Sequence, residues 1–212
     1  MLFILQFIFH SLLIAAPTEA HMGERHMLIV RAGVDKIFVN YVGIIEKEQS
    51  PLLIQTFEFP LLKDALDFNA QEGLEKKDLT VNDKGFLAGP IRLDIPQKVI
   101  SLVFVLPAKF GDGQVAIEFP FVVKELRILI EKTLQVESSE LEKVSNDGGE
   151  FSQTYTGYFY KKPIQPYDKI RIAISHIPSG RFSLFLLGAI VAVLLIVCAG
   201  YFTVKTAQRT RG

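Results

Sequence analysis

From residue 27 to residue 177 the chain repeats one pattern: short runs of period two with frequent turn residues, nearly all bounded by Gly or Pro. MLIVRA (27–32) ends at Gly33, and KIFVNYVGII (36–45) carries Phe38 and Tyr41. LLIQTFEF (52–59) stops at Pro60, IRLDI (91–95) at Pro96 and KVISLVFVL (98–106) at Pro107. LTVND (79–83) and GFLAG (85–89) flank a turn at Asp83-Lys84-Gly85, and QVAIEF (114–119) follows Gly111-Asp112-Gly113. FVVKELRILIE (121–131), FSQTYTGYFY (151–160) and DKIRIAISHI (168–177) complete the series. A period of two places successive side chains on opposite faces, and β-branched and aromatic residues suit a pleated surface. About nine or ten such runs at regular spacing predict an all-β fold, an antiparallel β-sandwich. The run 98–106 is nearly all apolar, so it reads as covered on both faces or central to its sheet. Two segments, LLKDALDF (61–68) and SSELEKVS (138–145), have a spacing compatible with short helices.

The two ends differ from this pattern. MLFILQFIFHSLLIAA (1–16) is too short for a comfortable bilayer span of about 20 residues. Thr18 and Ala20 are small residues at the −3 and −1 positions of a cut after Ala20, so residues 1–20 are expected to be a signal peptide. The n-region lacks Lys and Arg, which leaves an uncleaved anchor as the alternative, and a second cut position lies near Ala15 or Ala16. FSLFLLGAIVAVLLIVCAGYFTV (182–204) contains no charge and is long enough to span a bilayer. Arg181 precedes it, and Lys205, Arg209 and Arg211 follow. The positive-inside rule puts the 205–212 tail in the cytoplasm. The expected organisation is a signal peptide (1–20), an exported domain (21–180), a transmembrane helix (181–204) and a basic cytoplasmic tail (205–212). This makes a single-pass protein of the cytoplasmic membrane, with the lipid bilayer as one partner and the N-terminal domain outside the cytoplasm.

Composition narrows the function. Lys plus Arg equals Asp plus Glu, 23 of each, and no basic stripe lies outside the tail, so a nucleic-acid partner is not expected. The single cysteine, Cys198, lies in the apolar run, so the exported domain carries no disulfide. It also has no Asn-X-Ser/Thr sequon. Both features lean toward a bacterial envelope, with a eukaryotic type I membrane protein as the other compartment.

The chain has no Gly-X-Ser-X-Gly elbow, no His-Glu-X-X-His, no P-loop and no Gly-X-Gly-X-X-Gly. The carboxylate pairs Glu46/Glu48 and Asp64/Asp67 read as surface charge, and His176 as a half-exposed strand residue. The expectation is a non-enzyme; a hydrolase with an unrecognised site is the minor alternative. TYTGYFYKKPIQPY (154–167) gathers four tyrosines beside two lysines and can form either core or a binding face. HMGERHM (21–27) is the one candidate metal site. A free amine at His21, the His26 imidazole and the Met22 and Met27 thioethers would suit copper. The five-residue spacing opposes it. It puts the two histidines on opposite faces of a strand, or about 140° apart on a helix. Only a turn at Gly23 would bring them together. The competing reading is a frayed chain end entering the first strand at Met27.

Several of these segments also resemble a family. FEFPLLKDALDF (57–68), VFVLP (103–107), LRILIEKTLQVESSELE (126–142) and YTGYFYKKPIQPYDKIRIAISHIP (155–178), the last just before the membrane run, resemble poorly characterised bacterial membrane-anchored β-sandwich ectodomain proteins. Longer members carry an additional N-terminal domain that this chain lacks. Members are often encoded beside c-type cytochrome biogenesis or respiratory genes. The resemblance covers most of residues 36–204 and lends no active-site residue. It implies an interaction or assembly module near a respiratory or cytochrome c maturation complex, with envelope proteins as partners. A periplasmic copper carrier using His21, Met22, His26 and Met27 is the alternative function.

Overall fold

The computed structural model describes residues 20–47, 53–144, 151–180 and 188–196. The expected signal peptide up to residue 19, the 205–212 tail and most of the 181–204 segment lie outside the described residues.

The fold is built almost wholly of strands. In chain order they are β1 (His21–Met22), β2 (Arg25–Gly33), β3 (Lys36–Glu46), β4 (Leu53–Phe59) and β5 (Asp67–Gln71). After a single 3-10 turn at Lys76–Asp78 come β6 (Thr80–Val81), β7 (Leu87–Leu93), β8 (Gln97–Pro107) and β9 (Gly113–Glu118). Then follow β10 (Glu125–Glu131), β11 (Gln135–Glu137) and β12 (Leu141–Lys143). A four-residue helix α1 (Phe151–Thr154) leads into β13 (Tyr155–Tyr160), and β14 (Lys169–Ser175) is last.

An eight-stranded sheet runs in the order β12-β13-β10-β2-β3-β8-β5, with β1 also paired to β3. Two three-stranded sheets, β11-β14-β9 and β4-β7-β6, complete the fold. The three sheets contribute to one core cluster, in which Leu28, Val39, Tyr41, Phe59, Phe104, Ile117 and Ile172 are buried. The expected period of two is plain in β3 and β14, where every second side chain is buried. β8 is central, paired with β3 on one side and β5 on the other.

Four expectations need correction. LLKDALDF is not a helix: the chain turns at Asp64, whose φ is 65°, and Asp67–Gln71 pairs with β8. Eight residues are too few to offset the cost of helix nucleation, and the edge of β8 offers a full ladder instead. The described part of SSELEKVS is likewise no helix, because Leu141–Lys143 pairs with β13, and the Ser138 hydroxyl accepts from the Glu140 amide to make a turn. GFLAG and IRLDI merge into the single strand β7 across Pro90. Pro90 opposes Thr56 on β4 and lies beyond the two β6 pairings, so its missing N–H removes no bond to β6. The large sheet is also not wholly antiparallel, since β10 and β2 pair in parallel from Glu125↔Arg25 to Ile130↔Val30.

The described residues begin at Ala20, the last residue of the expected signal peptide. Ala20 is buried, its N–H donates to Gln55 Oε1 at 3.2 Å, and its carbonyl accepts from Gln55 Nε2 at 3.0 Å. A domain beginning at His21 is therefore expected to be less stable than one retaining Ala20, by about 1–2 kcal/mol for two lost hydrogen bonds. Parallel urea titrations of the two purified domains check this.

Candidate interaction face

HMGERHM is ordered strand, not a frayed end. β1 and β2 lie along the same side of β3 as one interrupted strand, with Gly23 donating its N–H to the Ile44 carbonyl at 2.7 Å in the gap. The break at Gly23 does not gather the four candidate ligands. His21 is exposed, with Nε2 3.7 Å from Glu46. His26 points into the core and is only 4% exposed. Met27 is its strand neighbour and so faces the opposite side, half-buried, as Met22 is half-buried on β1. A copper site using all four would require β2 to open. Among the described residues, no group of three or more His, Cys, Asp or Glu is placed to hold a metal.

His26 instead organises the core. Its Nε2 lies 2.7 Å from the Gly23 carbonyl and its Nδ1 2.9 Å from the Tyr41 hydroxyl. The carbonyl can only accept, so Nε2 carries the proton and Nδ1 accepts from Tyr41. The ring stacks on Tyr41 and Phe121 and lies against Phe119. Burial lowers its pKa to about 4, against a smaller opposing effect of the Gly23 carbonyl. Burial likewise pushes Tyr41 well above its ordinary value. Gly43 leaves room for this cluster: a Cβ there would lie 2.6 Å from the Tyr41 oxygen and 3.2 Å from His26 Nδ1. Gly43→Ala is therefore expected to cost about 1–3 kcal/mol through overpacking, measured as a lower urea midpoint.

The remaining sequence candidates are scattered. His176 is exposed just past β14 in the left-handed region, with φ 65°. Asp67 pairs with Lys76 on the surface at 2.8 Å, and Glu48 lies outside the described residues. The tyrosine-rich strand divides: Tyr158 and Tyr160 pack on the core, while Phe159 faces outward with the Arg127 guanidinium 5.9 Å above its ring. The Tyr160 hydroxyl donates to Glu140 at 2.8 Å, and desolvation together with that carboxylate pushes its pKa up to about 12.

A cleft of about 480 Å³ opens between the 61–65 turn, the 84–86 turn and strands β9 and β14. Lys63, Lys84, Lys169 and Arg171 line it against Asp64 and Glu118. Lys169 is held by Glu118 at 3.4 Å and Lys84 lies 3.6 Å from Glu58. The lining has no Ser, Thr, Cys or His. Four cationic against two anionic side chains give the lining a net positive charge.

The outer face of the large sheet is the more unusual surface. On β2 and β3 the apolar side chains turned from the core are Met27, Ile29, Phe38, Val42 and Ile44, and on β8 they include Val103 and Val105. All seven are half-buried and none belongs to the core cluster. Register places them side by side, with Met27 opposite Val42, Phe38 opposite Val105 and Ile44 opposite Val99. Arg31, opposite Phe38, and one polar pair interrupt them: the Ser101 hydroxyl donates to Asn40 Oδ1 at 2.7 Å. Asp67, Asn69 and Gln71 of β5 lie at one rim and Arg127 at the other. The solvated face of an antiparallel sheet normally alternates to polar residues, whereas contiguous apolar patches mark contact surfaces. Period-two reading missed this face because it asks only which residues face the core. The outward positions of 36–45 and 98–106 are apolar at Phe38, Val42, Ile44, Val99, Val103 and Val105, and polar at Lys36, Asn40 and Ser101.

No family model and no curated protein matches the chain. Among solved structures, native leukotriene A4 hydrolase from Saccharomyces cerevisiae aligns over 74% of this chain and 29% of its own, with TM-score 0.41 and 12% identity. The M1 zinc metallopeptidase from Deinococcus radiodurans aligns over 74% of this chain and 42% of its own. Its TM-scores are 0.32 for a substrate-bound mutant and 0.33 for a second structure, at 9% identity in both. This chain thus spans less than half the length of each, and a likeness at these scores carries no assignment of activity.

Proposed function

We propose that the protein is a non-enzymatic interaction module of the cell envelope, tethered by one C-terminal helix to the cytoplasmic membrane with its β domain outside the cytoplasm. The observation that carries this reading is the apolar outer face of β2, β3 and β8. A partner protein covering that face would remove half-buried Met, Ile, Phe and Val side chains from water, the dominant favourable term in association. The polar rim would set register.

The tether rests on the uncharged run 182–204. Residues 188–196 are helical, and Ile190, Val191, Val193, Leu194, Leu195 and Ile196 are 49–72% exposed. No helix among the described residues is long and apolar enough to cross a membrane. The full run of 23 residues meets the length requirement of about 20. By the family resemblance, subunits of a respiratory or cytochrome c maturation complex are the first partners to look for.

The test is a crosslinked pull-down of the tagged full chain from its native membrane, read by mass spectrometry. A stoichiometric set of envelope proteins, with crosslinks mapping to the outer face, is the expected result. No enrichment above an unrelated single-pass control would defeat the reading.

A further inference from the structure

The joint between the β domain and the apolar run is held tightly. The Ile177 N–H donates to the Gly111 carbonyl at 2.9 Å, and the Pro178 carbonyl accepts from the Asp35 N–H at 2.8 Å. The Gly180 N–H donates to Asp35 Oδ2 at 3.1 Å. Gly180 also sits against Val34, since a Cβ there would lie 3.2 Å from a Val34 methyl. The segment 177–180 is thus fastened to two loop tips, 34–35 between β2 and β3 and 110–111 between β8 and β9.

Two apolar side chains stand out at these tips. Phe110 is 84% exposed and Val34 60% exposed. Phe110 also has φ 57°, a left-handed conformation that costs a bulky residue about 1 kcal/mol and is more often filled by Gly or Asn. Local backbone preference would not put a phenylalanine there, and solubility would oppose it. Lys36 and Lys109 flank the same tips.

The geometry points to Phe110 and Val34 as a second membrane contact, inserted into the headgroup layer beside the helix, with Lys36 and Lys109 at the lipid phosphates. This rests on the tether proposed above. Given the tether, chain reach keeps both tips near the membrane surface. From Gly180 to Phe182, the first residue of the apolar run, the chain can extend at most about 7 Å. The headgroup layer on one side of a bilayer is itself about 5–8 Å thick. The 34–35 tip, bonded to Gly180, therefore lies at or next to headgroup depth, and the 110–111 tip, bonded to Ile177, lies within about 18 Å of the apolar run's first residue. Apolar side chains gain there by leaving water, and lysines gain from lipid phosphate. Lipid is thus the occupant the topology selects for these tips. β3 then runs away from the membrane from Lys36, and its far end at Glu46 stands about 33 Å higher along the strand, at about 3.3 Å per residue. The domain would be held at a fixed attitude, with its outer sheet face presented beside the anchor.

The test uses the full chain in lipid nanodiscs with Cys198→Ala as background and one new cysteine per variant: Phe110→Cys, Val34→Cys or Gln97→Cys. Gln97 is exposed opposite Glu46 at the far end. Each carries a polarity-sensitive fluorophore, and headgroup-labelled quencher lipid reports depth. Alkaline carbonate extraction of native membranes is run in parallel. Retention in the membrane, with blue-shifted and quenched emission at 34 and 110 but not at 97, supports the contact. Retention with all three probes reporting water overturns the contact and leaves the tether standing. Release by carbonate overturns both.

Discussion

Acidifying the folded domain from pH 7 to pH 4 is expected to remove about 3 kcal/mol of stability through His26 alone. An unfolded histidine titrates near 6.5, and burial lowers the folded value to about 4. The folded state therefore binds fewer protons between those two values. Stability is complete above about 6.5 and falls as pH drops toward 4, by about 1.4 kcal/mol per unit. The structural cause is specific. Nδ1 accepts from a fully buried Tyr41 hydroxyl, Nε2 donates to Gly23, and three aromatic rings exclude water. A proton on Nδ1 would remove the Tyr41 acceptor and place a charge in that cluster. Urea titrations at several pH values will show it, with His26→Gln as comparison. Glutamine retains a donor and an acceptor but does not titrate in this range. The variant is expected to be weaker at pH 7, by about 1–3 kcal/mol, and flatter between 6.5 and 4. Parallel pH curves for the two proteins would show that His26 does not carry the effect.

Val42→Lys is expected to abolish partner capture while leaving the fold intact. Val42 faces outward near the middle of the apolar face, opposite Met27 on β2 and Ser101 on β8. A lysine there can run its methylenes along the sheet and hold its ammonium in water, so the cost to the isolated domain is about 1 kcal/mol or less. In a complex the same ammonium would be buried without an acceptor, which costs several kcal/mol, or at least a hundredfold in affinity. The measurement is the crosslinked pull-down repeated with the variant, alongside a thermal melt. Lys63→Glu, in the cationic cleft, is the contrast. It should leave capture unchanged if the outer face is the working surface. Loss of capture in Lys63→Glu with retention in Val42→Lys would move the site to the cleft.

Much of the fold was legible because strand periodicity is local. The alternation in DKIRIAISHI records which residues face inward without knowledge of what covers them, and β14 follows it residue by residue, whereas KIFVNYVGII reads as a strand without marking its inward side. Gly43 finds its reason only in the fold, where a Cβ would meet the Tyr41 hydroxyl and the His26 ring. The helices expected at 61–68 and 138–145 failed for the complementary reason. Their outcome depended on β8 and β13 offering open edges, and those partners are remote in sequence.

The sequence by itself determined the class of structure, the length of the apolar run 182–204 and the absence of disulfides from residues 21–180, because pattern, length and cysteine position are properties of the chain alone. Only the tertiary structure decided what HMGERHM does. Histidine is polar enough to read as a surface ligand, yet one carbonyl and one hydroxyl, placed by the break at Gly23 and by β3, make it a core residue. Tertiary structure likewise turned scattered outward residues of β2, β3 and β8 into one face, and fastened residues 177–180 to two distant loop tips. Such juxtapositions arise from strand order and register, which bring together residues as far apart in the chain as Asn40 and Ser101 or Asp35 and Gly180, and no local pattern encodes them.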